Sequence, residues 1–462
     1  METHQHPFTA PATPAATAVV VGAGIAGLTA AWRLRRAGLR VRVRERESAA
    51  GGRMRTVDHD GFRVELGASI LGRNYTGMLR LIEELGLTHQ FGPSSTLCGF
   101  DRDNTVHRLR TDSRGDLLRT RLIGPRTKAA VFRALPNFLA HRRCLDWDTM
   151  DRNTYPDALS ASQYARRHLT QEAIDHLCEP LFGGGIVLAS TDRMAADMLF
   201  YTAKLLVPHF NSPQGAGLLT RTLADRLDVE LNTRVTAVRR RDDGFSVTWR
   251  DEGGGEHTDR ADAVVVAVPA PCVPGILPEL APLDRDYLSS LPYSRALIVS
   301  LGLEPPPRER AFALFLARRT HPALVGIELH HNKIPGRVDD GRGLITLHPR
   351  QFTDRWSDAD IATITEEAIT AAAAVFPGLR DTVLTSHVSR QDPALVVRPP
   401  GGYADLCAFN APRRTTDPRL QLAGDYFGPS STYGALRSGE EAAARILTHL
   451  TRTHRSRRPH ES

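Results

Sequence analysis

The chain has 462 residues, 41% of them hydrophobic, enough for two or more domains, and its formal charge of +7 is a small excess over 52 acidic residues. No zinc spacing and no interleaved basic–aromatic motif accompanies that charge, and only Lys128, Lys204 and Lys333 among the basic residues are lysines, so nucleic-acid binding is not expected. No run approaches the roughly 18 apolar residues of a transmembrane helix, and five scattered cysteines without CxxC spacing argue for reduced thiols in a cytoplasmic protein, with no metal site.

Met1 to Thr17 is polar and rich in Ala, Pro and Thr, and reads as a disordered leader. Ala18–Val21 suits a strand buried on both faces. Gly22, Gly24 and Gly27 follow at GxGxxG spacing, opening a helical pattern that ends at Gly38. A second strand, Val41–Arg44, leads directly to Glu45. This order predicts a dinucleotide site. The first glycine makes a tight turn, the second admits a diphosphate to the backbone, and the third lets helix and strand pack closely. The helix N-terminus, with Ala26 in its first turn, offers free N–H groups and a partial positive charge. Glu45 stands where a carboxylate accepts hydrogen bonds from an adenosine ribose, with Arg46 beside it.

Gly51-Gly52-Arg53 and Gly67-Ala68-Ser69 come next, then a short amphipathic helix from Thr76 to Leu87. Between about 91 and 213 the pattern turns helical, in Thr127–Arg143 and Ser160–Leu177. The basic stretch Arg102–Arg143 is either a solvated helical face or a surface for a membrane or a partner. The glycines of Glu179–Gly185 suit either close passage beside a ligand or a tight helix crossing. A helix over Gly215–Leu227 leads to a strand over Val229–Val235, and Asp262–Pro269 is a buried strand closed by proline.

From about Asp284 strands return, introduced by Leu291–Val299 and continued by Gly326–His330 and Leu344–His348, with His330 and His331 on a strand and pointing to opposite faces. Asp358–Phe376 is an amphipathic helix capped by Ser357 or Asp358. Leu420–Asp425 is a strand and turn, Gly434-Ala435-Leu436 opens a helix, and Thr451–Ser462 reads as a disordered basic tail.

The glycine turn with Glu45, Gly51-Gly52-Arg53 and the loop to Ser69 resembles the flavin-containing amine oxidoreductase superfamily, which includes amine oxidases, protoporphyrinogen oxidases and carotenoid desaturases. The Asp425 turn and the helix from Gly434 resemble its second flavin signature. The resemblance implies an α/β, two-domain FAD-dependent oxidoreductase: a Rossmann-like FAD-binding domain and an α+β substrate domain on a mixed sheet. The FAD-binding domain would be discontinuous (18–90, 214–283, 400–450), with 91–213 and 284–399 forming the substrate domain. It implies that Arg53 supports the pyrophosphate and flavin side, that Gly67, Ala68 and Ser69 run beside the isoalloxazine ring, and that Val235 lies against the adenine. Pro269 closes the family's second nucleotide strand, and Asp425 meets ribityl or phosphate-side groups. The helix from Gly434 would stabilise a reduced flavin through its dipole.

The reaction implied is hydride transfer from a C–H beside nitrogen or carbon of a hydrophobic substrate, with O2 as acceptor and H2O2 as product, in bacterial natural-product biosynthesis. Porphyrinogen oxidation or carotenoid desaturation is the alternative; a flavin-binding module without turnover is a third reading. Two features depart from the amine-oxidising branch: no lysine on the strand over Arg295–Val299, and Ser431 where an aromatic is common. Gly401-Gly402-Tyr403 stands in the neighbourhood where the resemblance would put a cysteine for covalent attachment, which implies noncovalent FAD. Three residues are candidates for the chemistry: Glu65 as a base or as a structural carboxylate, Arg295 as a substrate anchor or a surface partner, and Tyr433 as a cavity wall. Peripheral membrane contact and a homodimer are left open.

Overall fold

The structure is a computed structural model and describes residues 16–141, 158–203, 206–350, 356–413 and 417–456. Thr17–Val21 is the middle strand of a five-stranded sheet. It pairs in parallel with Arg40–Arg44 on one side and Ala263–Val266 on the other, and Asp228–Glu230 and Leu420–Leu422 extend the sheet, also in parallel. Successive side chains of a strand point to opposite faces, so both faces of this sheet need cover. Val20, Ala263 and Val265 pack under the helix Ile25–Arg36 and the last helix, Thr432–Ser456, with Leu28, Leu34, Leu436 and Ile446. Val19, Val21, Val264 and Val266 face the other way, against Val247, Phe245 and Tyr426. Phe245 and Val247 belong to a three-stranded antiparallel meander, 234–241, 244–250 and 256–261, inserted before Ala263.

A second, seven-stranded sheet is mixed. Its order is 383–391, 296–303, 343–349, 324–329, 313–315, 97–102 and 105–110, with 313–315 and 97–102 as its parallel pair. The helix Asp358–Val375 lays Ile361, Ile364, Ala368 and Ala372 on this sheet. Ser357 caps it, accepting from the Asp360 N–H while the Asp360 side chain reaches back.

Several local readings change. The stretch Val229–Val235 divides, because Asn232 adopts a left-handed conformation (φ 52°) and sends Arg234–Arg241 into the meander. The helix expected over Ser160–Leu177 stops at His168, and a π-helical segment from Ile174 to Val187 carries Glu179–Gly185. Pro180 lies inside it and contributes no N–H, which suits the looser turn. His330 and His331 are not on a strand: Leu324–Leu329 ends before them and they form one 3-10 turn. Thr17 belongs to the first strand, and the last helix continues past Leu450 to Ser456. The readings for 1–15, 457–462 and Cys144 lie outside the described residues. Among the described residues no helix is long and apolar enough to cross a membrane.

The first and last helices cross closely enough to require a glycine. A Cβ at Gly439 would stand 2.2 Å from the Ala26 carbonyl oxygen. Gly439→Val should therefore lower stability by about 1–3 kcal/mol or more, read as a shifted urea midpoint with an unchanged slope.

Candidate functional site

The glycine turn is built by close contact. Gly22 has φ +100°, and a Cβ there would lie 2.7 Å from the Ala267 carbonyl oxygen; at Gly27 it would lie 2.0 Å from the Gly22 carbonyl oxygen. At Gly24 an added Cβ meets nothing within 4 Å, so this backbone opens on space. Glu45 ends the second strand with its carboxylate fixed: Ala23 N–H donates to Oε2 at 2.6 Å and Glu47 N–H to Oε1 at 3.0 Å. Gly24 and Gly51 form a parallel bridge, which lays the Gly51–Arg53 loop alongside the turn.

That space is one cavity of about 1140 Å³. Gly22, Gly24, Ala26, Glu45 and Arg46 line it, as do Val235 and Pro269. Gly51, Gly52 and Arg53 line its middle with Gly67, Ala68 and Ser69, and Gly424, Asp425 and Ala435 come from the far end of the chain. Gly27, Gly434 and Leu436 are not among its lining residues. Gly27 sits behind the turn, Leu436 is fully buried in the helix-covered core, and Gly434 N–H donates to Ser431 Oγ at 2.9 Å.

Arg53 and Asp425, 372 residues apart, form a bidentate pair at 2.9 and 2.8 Å, and Ser430 Oγ donates to Asp425 at 2.6 Å. Such a fork fixes both planes at once. Asn211 Nδ2 donates to the Ser69 carbonyl at 2.6 Å and Ala68 N–H to the Arg53 carbonyl at 2.8 Å, so the Gly67–Ser69 loop is held from two sides.

The three chemical candidates lie elsewhere. Glu65 is buried and committed: it pairs with the buried Arg337 at 3.1 Å and accepts from Thr56 Oγ1 at 2.6 Å and Ala216 N–H at 3.0 Å. It does not line the cavity. Tyr433 stacks on Tyr75 with ring centroids 4.9 Å apart, and its hydroxyl meets Thr76 Oγ1 and Gly77 N–H, so it anchors the helix Thr76–Glu84. Tyr75, its stacking partner, is the ring that lines the cavity. Arg295 is half-exposed and pairs with Asp392 at 2.9 Å; its neighbours Ala296 and Ile298 reach the cavity and it does not. His330 is buried with Nε2 2.9 Å from Thr346 Oγ1, and burial ahead of Lys333 pushes its pKa well down.

A cluster that the sequence reading missed closes the other end. Glu328 projects from the strand Leu324–Leu329 into the cavity. Ser69 Oγ donates to its two oxygens at 3.0 and 2.8 Å, Lys333 Nζ donates to Oε2 at 3.0 Å, and His348 Nε2 donates to Oε1 at 3.2 Å. Burial alone would raise this carboxyl's pKa; Lys333 first, then His348, holds it well below the usual range. Around it the wall is apolar, with Phe312, Phe315, Leu181, Leu206 and Cys98, whose thiol burial pushes up. One clue was in the sequence: Glu328 is the single charge in the otherwise apolar strand LVGIEL.

A depressed folded-state pKa contributes stability that is present above the unfolded value of about 4.3 and is lost as pH falls through the folded one. Thermal unfolding from pH 7 to 3 should therefore show an acid-side loss that is shallower in Glu328→Gln. That variant should also be less stable at pH 7, by about 3–5 kcal/mol, because it strands Lys333.

The profile of the flavin containing amine oxidoreductase family matches residues 25–447. Mitochondrial protoporphyrinogen oxidase of Nicotiana tabacum is 30% identical over 168 residues, 36% of this chain and 31% of that protein, so the match spans about a third of that relative's length. Coproporphyrinogen III oxidase of Bacillus subtilis is 24% identical over 396 residues, 76% of this chain and 81% of that one. A solved structure of wild-type putrescine oxidase bound to putrescine superposes with a TM-score of 0.71 at 20% identity, over 94% of this chain and 99% of that one; it shows likeness of fold.

Proposed function

Because the chain belongs to the flavin-containing amine oxidoreductase family, a family of flavin-dependent oxidoreductases, we propose that it is an FAD-dependent oxidase of a hydrophobic small molecule, using O2 and releasing H2O2. One observation carries this reading. A single cavity joins a glycine turn and a buried carboxylate at one end to an apolar, sheet-walled chamber at the other.

The residues present fit FAD. Gly24, whose Cβ position is open, leaves backbone free to meet a diphosphate, and the helix beginning at Ile25 turns its positive end the same way. Glu45 spends its fixed hydrogen bonds on Ala23 and Glu47 and keeps lone pairs for ribose hydroxyls. Val235 and Pro269, which line the cavity, would offer an apolar rest for the adenine, and the Gly67–Ser69 loop, which lines it too, would run beside the ring system. The helix from Thr432 directs its N-terminus, with Ala435 in its first turn, at the same space.

When bound, FAD would supply the acceptor for a hydride from a substrate C–H next to nitrogen or carbon, with oxygen as the terminal oxidant. The chain's contribution is to orient and to keep water out. Phe312, Phe315, Leu181 and Leu206 exclude water from the chamber, and Ser69, held by Glu328, fixes the loop between the two ends. No group here is asked to take a proton from carbon, which suits apolar substrates needing little acid–base assistance.

Porphyrinogen oxidation is the second reading, favoured by similarity to coproporphyrinogen III oxidase across 76% of the chain. Anaerobic mixing separates the two: coproporphyrinogen III bleaches the flavin under the second reading and leaves the spectrum unchanged under the first.

The purified protein should be yellow, and acid precipitation should release all the flavin into the supernatant, as noncovalent binding requires. Glu45→Ala should weaken FAD retention by about 1.5–3 kcal/mol, measured by titrating apoprotein with FAD. A colourless protein that takes up no FAD would end the reading.

A further inference from the structure

Among the cavity-lining residues on the strands 97–102, 313–315, 324–329 and 343–349, Glu328 is the one carboxylate. A lone carboxylate facing an apolar chamber would ordinarily demand a cation from whatever enters, because a charge stripped of water needs a partner. Here the demand is met from within. Lys333 is buried, does not itself line the cavity, and reaches Glu328 Oε2 at 3.0 Å. Ser69 Oγ touches both oxygens, at 3.0 and 2.8 Å, and His348 Nε2 donates to Oε1 at 3.2 Å. A carboxylate offers about four acceptor positions. Ser69, Lys333 and His348 each give it one hydrogen, that of Ser69 shared between the two oxygens, and Lys333 brings the compensating charge.

We propose that Lys333 determines specificity: by neutralising Glu328 it makes the chamber select substrates that are uncharged where they meet this wall, and reject amine cations. This rests on the functional reading above and narrows its substrate class. An entering ammonium would lose its hydration and find the carboxylate already paired, with the Lys333 charge directly behind it. A neutral apolar group loses nothing comparable.

Removing the internal cation should create the site that the wild type lacks. Isothermal titration of the holoprotein with putrescine, and with 1,4-butanediol as its uncharged analogue, reads this without turnover. The wild type should bind butanediol at least as tightly as putrescine. Lys333→Met should bind putrescine about ten-fold or more tightly than the wild type does, with little change for butanediol. Lys333→Arg should behave as the wild type, and Glu328→Gln/Lys333→Met should lose the gain. A wild type that prefers putrescine overturns the proposal, as does a folded Lys333→Met that gains nothing. Should Lys333→Met fail to fold, the wild-type preference decides alone. A protein that takes up no FAD counts against the functional reading, whereas a holoprotein that binds FAD yet prefers putrescine counts against this one.

Discussion

Parallel strand pairing is the constraint on which the rest depends. Two parallel neighbours cannot be joined by a hairpin; the chain must leave the sheet and cross back to the end at which the first strand began. Here Thr17–Val21 pairs with Arg40–Arg44 after a single helix, but with Ala263–Val266 only after more than half the chain has passed. The excursions are long enough to build a second sheet, and the space between the two sheets' ends is the cavity. Site and topology thus have one origin: ligands of open α/β sheets settle beyond the carboxyl ends of the strands, where crossovers diverge.

Charge is handled differently at the two ends of that space. Near the glycine turn, Glu45 is anchored by backbone N–H groups, which leaves its remaining acceptors outward. Midway, Arg53 and Asp425 compensate each other. At the sheet-walled end Glu328 is compensated completely, and Glu65 with Arg337 repeats the device behind the wall. Buried ion pairs contribute little net stability, so their persistence points to positioning: Arg53–Asp425 and Glu65–Arg337 each pin two segments far apart in the chain.

What could be read from the sequence followed from local spacing. The glycine turn, the acid after the second strand and the Asp425 turn each fall within a few residues, and the mixed sheet was implied by the family resemblance that those motifs carry. What could not be read needed partners brought from afar. Ser69, Glu328, Lys333 and His348 carry no shared motif, and their meeting depends on strand register. Tyr433 was placed in the right neighbourhood, but stacking on Tyr75 turns it away from the cavity. His330 and His331 were misplaced because an apolar strand pattern gives no sign of where a 3-10 turn will end it.

The crossing of the first and last helices at Ala26 and Gly439 ties the two termini of the described fold together beneath the cavity. The helix Ile25–Arg36 therefore waits for the much later Thr432–Ser456 before its apolar stripe is covered. The nascent chain exposes that stripe until the helix Thr432–Ser456 has been made, and a ligand that binds only the assembled form draws the equilibrium toward it by mass action. Cellular abundance of the folded species would then follow the supply of that ligand as well as the rate of translation.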